Sequence, residues 1–385
     1  MIVVFIPEEI RQNRVYSHTA LQFEPLYPGR MESLYDPREL PPAVTILENG
    51  DTLLRFYAPA AQEVCAGLMD QPLFPLTKGE NGVWEGTLPF PGFGMVTIDW
   101  RVDGVQVLNP FAPVYYSYSR PVNFIDVPDP DMDYILVKDV PHGSTINEYY
   151  YSKVMGNFER LMVYTPPGYE KSTQTYPVLY LQHGAFEDDV SWVFNGKINF
   201  IMDNLIAEGV IDPFVIVMCN GSVGHTEFHK ELPPTLFVQM LLEDAMPFVE
   251  EKYRIRSDAD GRAIAGLSMG SKQACQAGFG HPGLFSYIGI FSGSIFGMRA
   301  IDPNPFYLKN LQSEKMLKEN YKLVFRSMGD EDPFWDAFEE DDRELEKRNA
   351  SPDVWPAHVR KVYPGKHLWN TWRLTMRDFL PLLFR

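Results

Sequence analysis

Gly266-Leu267-Ser268-Met269-Gly270 sets a serine between two glycines at the spacing of a nucleophile elbow. The run Arg262-Ala263-Ile264-Ala265 before it predicts a buried strand, and Ser271-Lys272-Gln273-Ala274-Cys275-Gln276-Ala277 after it predicts a helix. A strand that turns sharply into a helix needs backbone free of Cβ clashes, and the turn holds the serine oxygen out at the helix N-terminus. Such a serine can attack an acyl carbon. It then needs a base, an acid that orients the base, and N–H groups for the developing oxyanion.

Of the eight histidines, His367 is the best base. It follows a predicted last strand, Val359-Arg360-Lys361-Val362-Tyr363, and the turn Pro364-Gly365. Loops after strand C-termini share one end of a parallel sheet, where the elbow also sits. The acid should follow the preceding strand, and Ser327-Met328-Gly329-Asp330-Glu331-Asp332 offers three carboxylates there. Any of them gives the order Ser, acid, His of an α/β-hydrolase. His183-Gly184-Ala185-Phe186 follows another predicted strand and nominates the backbone N–H groups of Ala185 and Met269 as oxyanion donors. His183 is expected to orient that loop and to border the substrate site rather than act as the base. Trp192, just beyond, is a candidate for the substrate cleft. His225 and His229 lack the H-E-x-x-H pattern and are expected at the surface, so no metal and no organic cofactor is implied.

The elements that must carry these residues fall into two stretches. From about Val44 to Pro110 the pattern has period two. Thr52 to Pro59, Val83 to Leu88 and Met95 to Val102 read as strands, and Asp103-Gly104 reads as a hairpin turn into Val105 to Leu108. Short strands without helices predict a β-sandwich over residues 1–130. The Pro- and Asp-rich stretch Asp126 to Asp131 reads as the domain boundary. Beyond it, over 131–385, strands alternate with helices. Val178 to Leu181, Phe214 to Met218, Tyr287 to Phe291 and Leu323 to Phe325 are continuous apolar runs, while Ile198 to Ile206 and Phe237 to Lys252 have helical spacing. This alternation predicts a mostly parallel sheet with helices on both faces.

The formal net charge of −17 argues against nucleic-acid or anionic-membrane partners. Three scattered cysteines imply neither a disulfide framework nor a Cys-based zinc site. The first residues show no basic segment followed by an apolar one, so a cytoplasmic location is expected.

At these residues the chain resembles the esterase D-like family of α/β-hydrolases, which holds feruloyl and acetyl xylan esterases (carbohydrate esterase family 1) and enterochelin esterases. The likeness runs through Tyr164-Thr165-Pro166-Pro167-Gly168-Tyr169, Leu181-Gln182-His183-Gly184, Asp203 to Gly209, Ala265 to Gly270, Phe291-Ser292-Gly293 and His367 to Arg373. It implies an α/β-hydrolase fold over 131–385 and puts the acid on Asp332, three residues after the glycine that ends the strand, with Asp330 as fallback. Residues 44–110 resemble the early-set immunoglobulin-like domain, similar to glycogen-binding modules, that precedes many such esterases. Ala185 departs from the glycine common in the oxyanion loop, and Asp330 from a common threonine; neither removes a backbone donor. The resemblance implies a serine esterase that removes feruloyl or acetyl groups from acylated xylo-oligosaccharides through an acyl-enzyme. The rival enzyme is an enterochelin-like siderophore trilactone esterase. A rival of another class is a non-catalytic carbohydrate-binding protein. The partner expected is a small-molecule or oligosaccharide ester; nothing in the sequence fixes the oligomeric state.

Overall fold

Asp103 and Gly104 stand at φ 48° and 82°, the paired left-handed conformation of a tight hairpin turn, and the flanking Val102 and Val105 pair across it. The computed structural model describes residues 42–385 except 70, 81, 118–119, 223–234, 298–304 and 312–313. His225 and His229 lie outside the described residues. The chain divides after Val137 into two compact units.

The first unit holds β1 (Val44–Ile46), β2 (Thr52–Tyr57), β3 (Val64–Leu68), β4 (Phe74–Pro75), β5 (Thr77–Lys78), β6 (Val83–Leu88), β7 (Gly94–Val102), β8 (Val105–Val107), β9 (Val114–Ser117) and β10 (Arg120–Val127). One sheet runs β1-β2-β6-β5; the other runs β4-β3-β7-β10-β9, with β8 on β7. Leu54 and Trp84 from the first sheet and Val64, Ile98, Trp100 and Ile125 from the second belong to one apolar core. Two sheets closing on a shared core is the layering that the period-two pattern predicts. The boundary lies elsewhere than the sequence suggests. Asp126 and Val127, read as linker, pair with Met95 and Gly94 inside the second sheet. Pro121 is tolerated in β10 because β7 pairs it only from Asn123 onward.

The second unit begins with a long antiparallel hairpin, β11 (Ser144–Ser152) and β12 (Asn157–Thr165). Then come β13 (Val178–Gln182), α1 (Ser191–Phe194), α2 (Ile198–Ala207), β14 (Val215–Cys219), α3 (Leu236–Met240), α4 (Met246–Lys252), β15 (Arg262–Leu267) and α5 (Met269–Gly278). The chain closes with β16 (Tyr287–Phe291), α6 (Glu314–Asn320), β17 (Leu323–Gly329), α7 (Trp335–Glu346), β18 (His358–Tyr363) and α8 (Trp369–Phe379). The sheet order is β11-β12-β14-β13-β15-β16-β17-β18, parallel from β14 to β18 and antiparallel at the β11–β12–β14 edge. Every residue of β13, β14, β15, β16 and β17 is buried, which is why their apolar stretches do not alternate with polar residues; Arg262, Arg326 and Ser327 are buried polar exceptions in β15 and β17. The helix expected over 237–252 is interrupted by a π-turn at Leu241–Ala245. Within that turn, Asp244 accepts the Ser152 hydroxyl (2.7 Å) and the Val154 amide (3.0 Å). Among the described residues no helix is long and apolar enough to cross a membrane.

Candidate active site

Ser268 joins β15 to α5 with φ 51° and ψ −115°, a conformation that costs a non-glycine residue on the order of 1–3 kcal/mol. The flanking glycines make the turn possible. A Cβ on Gly266 would lie 2.4 Å from the Gly270 carbonyl, and one on Gly270 would lie 2.6 Å from the His183 oxygen. The elbow is pinned by its own backbone: the Ser268 N–H donates to Phe291 O (2.9 Å), and the Ser271 hydroxyl donates to Ser268 O (2.6 Å).

The same end of the sheet lines up the other two loops. Leu267 is in register with Phe291, Phe291 with Ser327, and Gly329 with Tyr363. Past the last paired residues, Ser292 N–H donates to Ser327 O (2.8 Å) and Asp330 N–H to Tyr363 O (2.9 Å). The segments carrying Asp332 and His367 are thereby held together, and Asp332 Oδ2 meets His367 Nδ1 at 2.9 Å. The Phe334 amide donates to Asp332 Oδ1 (3.0 Å). Burial works to raise the Asp332 pKa. The His367 N–H and charge, the Phe334 amide and the Ser292 hydroxyl outweigh it, so the carboxyl lies below its usual range. Asp330 is exposed and spends Oδ1 on the Gly365 amide (2.8 Å), which closes the turn before His367.

The His367 ring stands edge-on between Phe334 and Trp372, with centroids 5.1 and 5.2 Å away. Trp372 also donates its indole N–H to Ser292 Oγ (3.0 Å), whose hydroxyl serves Asp332. Trp369 and Trp372, three residues apart on α8, both spend their indole N–H groups beside the site, Trp372 on Ser292 and Trp369 on Glu187 Oε1 (2.9 Å). Ser292, itself at φ 48°, and Glu187 were invisible to pattern reasoning, although Phe291-Ser292-Gly293 belongs to the motifs that carry the resemblance.

His183 is buried, and its ring fixes the loop that carries Ala185. The Gly221 amide donates to Nε2 (2.8 Å), so Nδ1 holds the proton and donates to Gly184 O (2.7 Å). Burial pulls its pKa down, which keeps the ring neutral. Gln273 of α5 donates to Gly221 O (2.7 Å), linking the elbow helix to the same strut. His183 is thus a strut and does not line a cleft. Trp192 also departs from the expectation: it is 1% exposed, donates its N–H to Gln182 O (2.9 Å) and packs edge-on against Trp369. It is a core residue whose indole holds the strand end from which the Ala185 loop departs. Ala185 is exposed, and Met269, as the first residue of α5, has an amide with no acceptor inside the helix. Truncating the strut, His183→Ala, should let the donor loop shift and lower kcat by on the order of 10²-fold, since misplacement by ~1 Å costs that much. Steady-state kinetics on an aryl ester would check it. Among the described residues no group of three or more His, Cys, Asp or Glu is arranged to hold a metal ion.

A serine at a strained elbow, with a buried aspartate holding a partly exposed histidine at the neighbouring strand ends, can perform acyl transfer. The family assignment agrees: the Esterase family model matches residues 152–383, more than half of the chain, and the chain belongs to that family. Among its relatives, the endo-1,4-beta-xylanase/feruloyl esterase of Xylanibacter ruminicola is 34% identical over 259 residues, 64% of this chain. The chain spans only 35% of that protein's length. Among solved structures, a ferulic acid esterase from Anaeromyces mucronatus in complex with ferulic acid has a TM-score of 0.54 at 23% identity, covering 66% of this chain and 96% of its own. The enterobactin esterase of Shigella flexneri has a TM-score of 0.64 at 14% identity, covering 86% of this chain and 92% of its own. Both structural likenesses are likenesses of fold.

Proposed function

We propose that this esterase is a serine enzyme that hydrolyses feruloyl esters of plant-type oligosaccharides, with Ser268 as nucleophile, His367 as base and Asp332 as orienting acid. The reading is carried by the 2.9 Å Asp332–His367 contact at the sheet end that bears the Ser268 elbow. The second unit is then an α/β-hydrolase domain and the first an immunoglobulin-like sandwich.

In the reaction, His367 Nε2 takes the Ser268 proton as Oγ attacks the ester carbonyl carbon. The carbonyl oxygen becomes an oxyanion that the Ala185 and Met269 N–H groups receive, the latter aided by the positive end of α5. His367 returns the proton to the leaving sugar oxygen, leaving an acyl-enzyme. Water, activated by the same ring, releases ferulate and regenerates Ser268. Asp332 accepts from Nδ1, which fixes the tautomer and stabilises the imidazolium formed in each half-reaction.

The feruloyl preference rests on the Xylanibacter ruminicola relative. A second reading, hydrolysis of a siderophore trilactone, draws on the breadth of the likeness to the enterobactin esterase, and the net charge of −17 opposes it because that ligand is anionic. Kinetics on methyl ferulate, an acetylated xylo-oligosaccharide and a catecholate trilactone decide between them. The proposal expects the highest kcat/KM on the ferulate, and a trilactone preference would overturn it.

A further inference from the structure

Glu187 lies two residues beyond Ala185, and nothing in the proposed chemistry uses it. Its Oε1 accepts the indole N–H of Trp369 (2.9 Å), at the start of the helix that follows His367. Its Oε2 is buried and makes no hydrogen bond of good geometry. A Cβ placed on Gly184 would lie 3.6 Å from Ser268 Cβ and 3.8 Å from Glu187 Oε2, so nucleophile and carboxyl flank the same point of the oxyanion loop. The Glu187 main-chain carbonyl in turn accepts the Ser222 hydroxyl (3.1 Å).

We propose that Glu187 is a positioning residue for ester hydrolysis: its carboxyl clamps the loop carrying the Ala185 donor to Trp369, and only the uncharged clamp supports the reaction. The inference rests on the Ser268 mechanism proposed above.

An uncharged carboxyl has a carbonyl oxygen for the Trp369 N–H and brings no charge near Ser268. A carboxylate there would be a negative charge in a poorly solvated setting, close to where the negative oxyanion must form, and would oppose it. The surroundings favour the uncharged form. Burial pushes the pKa up, the Trp369 and Gly184 N–H groups push it down, Asp188 adds its negative charge, and the balance is about 8. Among the described residues, Asp188 and Asp189 lie on the same loop, His183 is neutral, His367 precedes Trp369 by two residues, and the elbow presents Ser268.

The sign of the pH effect follows. Below about 8 the native carboxyl keeps its proton, and activity is retained on that account; above it the carboxylate forms and kcat falls. Stability moves the same way. The unfolded chain releases this proton near the ordinary 4.5, so stability drops as pH rises from there to about 8.

Wild type, Glu187→Ala and Glu187→Gln, each checked for folding by its melting curve, supply the test through kcat and KM on an aryl ester from pH 6 to 9.5. Wild-type kcat should fall about tenfold or more over a basic limb centred near 8. Glu187→Ala should lower kcat about tenfold or more at pH 7 with little change in KM. Glu187→Gln keeps an acceptor for Trp369 and never ionises, so it should recover most of that loss and lack the basic limb. Its melting temperature should gain on wild type as pH rises from 5 to 8. A Glu187→Gln enzyme with the wild-type basic limb, or a Glu187→Ala enzyme with wild-type kcat, overturns the proposal. Labelling of Ser268 by substrate in the wild type would, in either event, leave the mechanism standing; absence of that label would fail the mechanism instead.

Discussion

Ser268→Ala should lower kcat on an aryl ester by on the order of 10⁵–10⁶-fold, with folding intact. The size follows from what the hydroxyl alone supplies. Without Oγ no acyl-enzyme forms, and the Ala185 and Met269 donors can only assist direct attack by water, a residual of roughly 10³–10⁴ over the uncatalysed rate. The substitution leaves the elbow's supports in place. The bonds from Ser268 N–H to Phe291 and from Ser271 to Ser268 O are made by the backbone of residue 268. Alanine meets the same unfavourable φ of 51°, so the strain is neither relieved nor increased. Thermal melting should therefore match wild type to within a degree or two, about the spread expected for a change near 0.5 kcal/mol. A variant that loses activity by unfolding would reveal itself in that melting curve.

The second large effect separates two carboxylates two positions apart. Asp332→Asn should cost about 10³–10⁴-fold in kcat, because an amide facing His367 Nδ1 favours the wrong tautomer and gives no charge to the imidazolium. Asp330→Asn should stay within a few-fold of wild type, since that exposed side chain accepts the Gly365 amide of the turn and not His367. The Asp332 pKa is depressed from 3.8, so its contribution to stability is present above that value and is lost as pH falls through the depressed one. Asp332→Asn should thus narrow the stability gap from wild type as the solution is made strongly acidic. Steady-state kinetics with both variants at neutral pH checks the catalytic part, and urea melts below pH 4 check the linkage.

Much of this site could be read from the chain because its signals are local. Gly266 and Gly270 mark a turn that no side chain could enter, and the strand and helix around Ser268 declare themselves within a few residues. The continuous apolar runs in β13, β14, β16 and the start of β17 declared a sheet buried on both faces. Choosing among Asp330, Glu331 and Asp332 is different in kind. It depends on which carboxylate the register of β17 with β18 turns toward His367, and sequence spacing does not carry that register. Trp192 misled for a related reason: an aromatic just beyond a catalytic loop can face the cleft or the core, and its N–H bond to Gln182 O decides for the core. The end of β10 was misread because Asp126 to Asp131, with Pro128 and Pro130, resembles linker chemistry, whereas Asp126 and Val127 are paired with β7. Glu187 gave no sign at all. A glutamate in a polar stretch, Glu187-Asp188-Asp189, reads as solvated, and only the folded chain puts it between Trp369 and Gly184.

The central claim is that Ser268 carries the acyl group. Rapid acid quench of the enzyme turning over methyl ferulate, followed by peptide mass spectrometry, addresses it without relying on any variant. The account predicts one feruloyl group per chain, attached within the peptide that contains Gly266 to Gly270 and located on Ser268. An acyl group on another residue, or full turnover with no covalent adduct at any quench time, would contradict it.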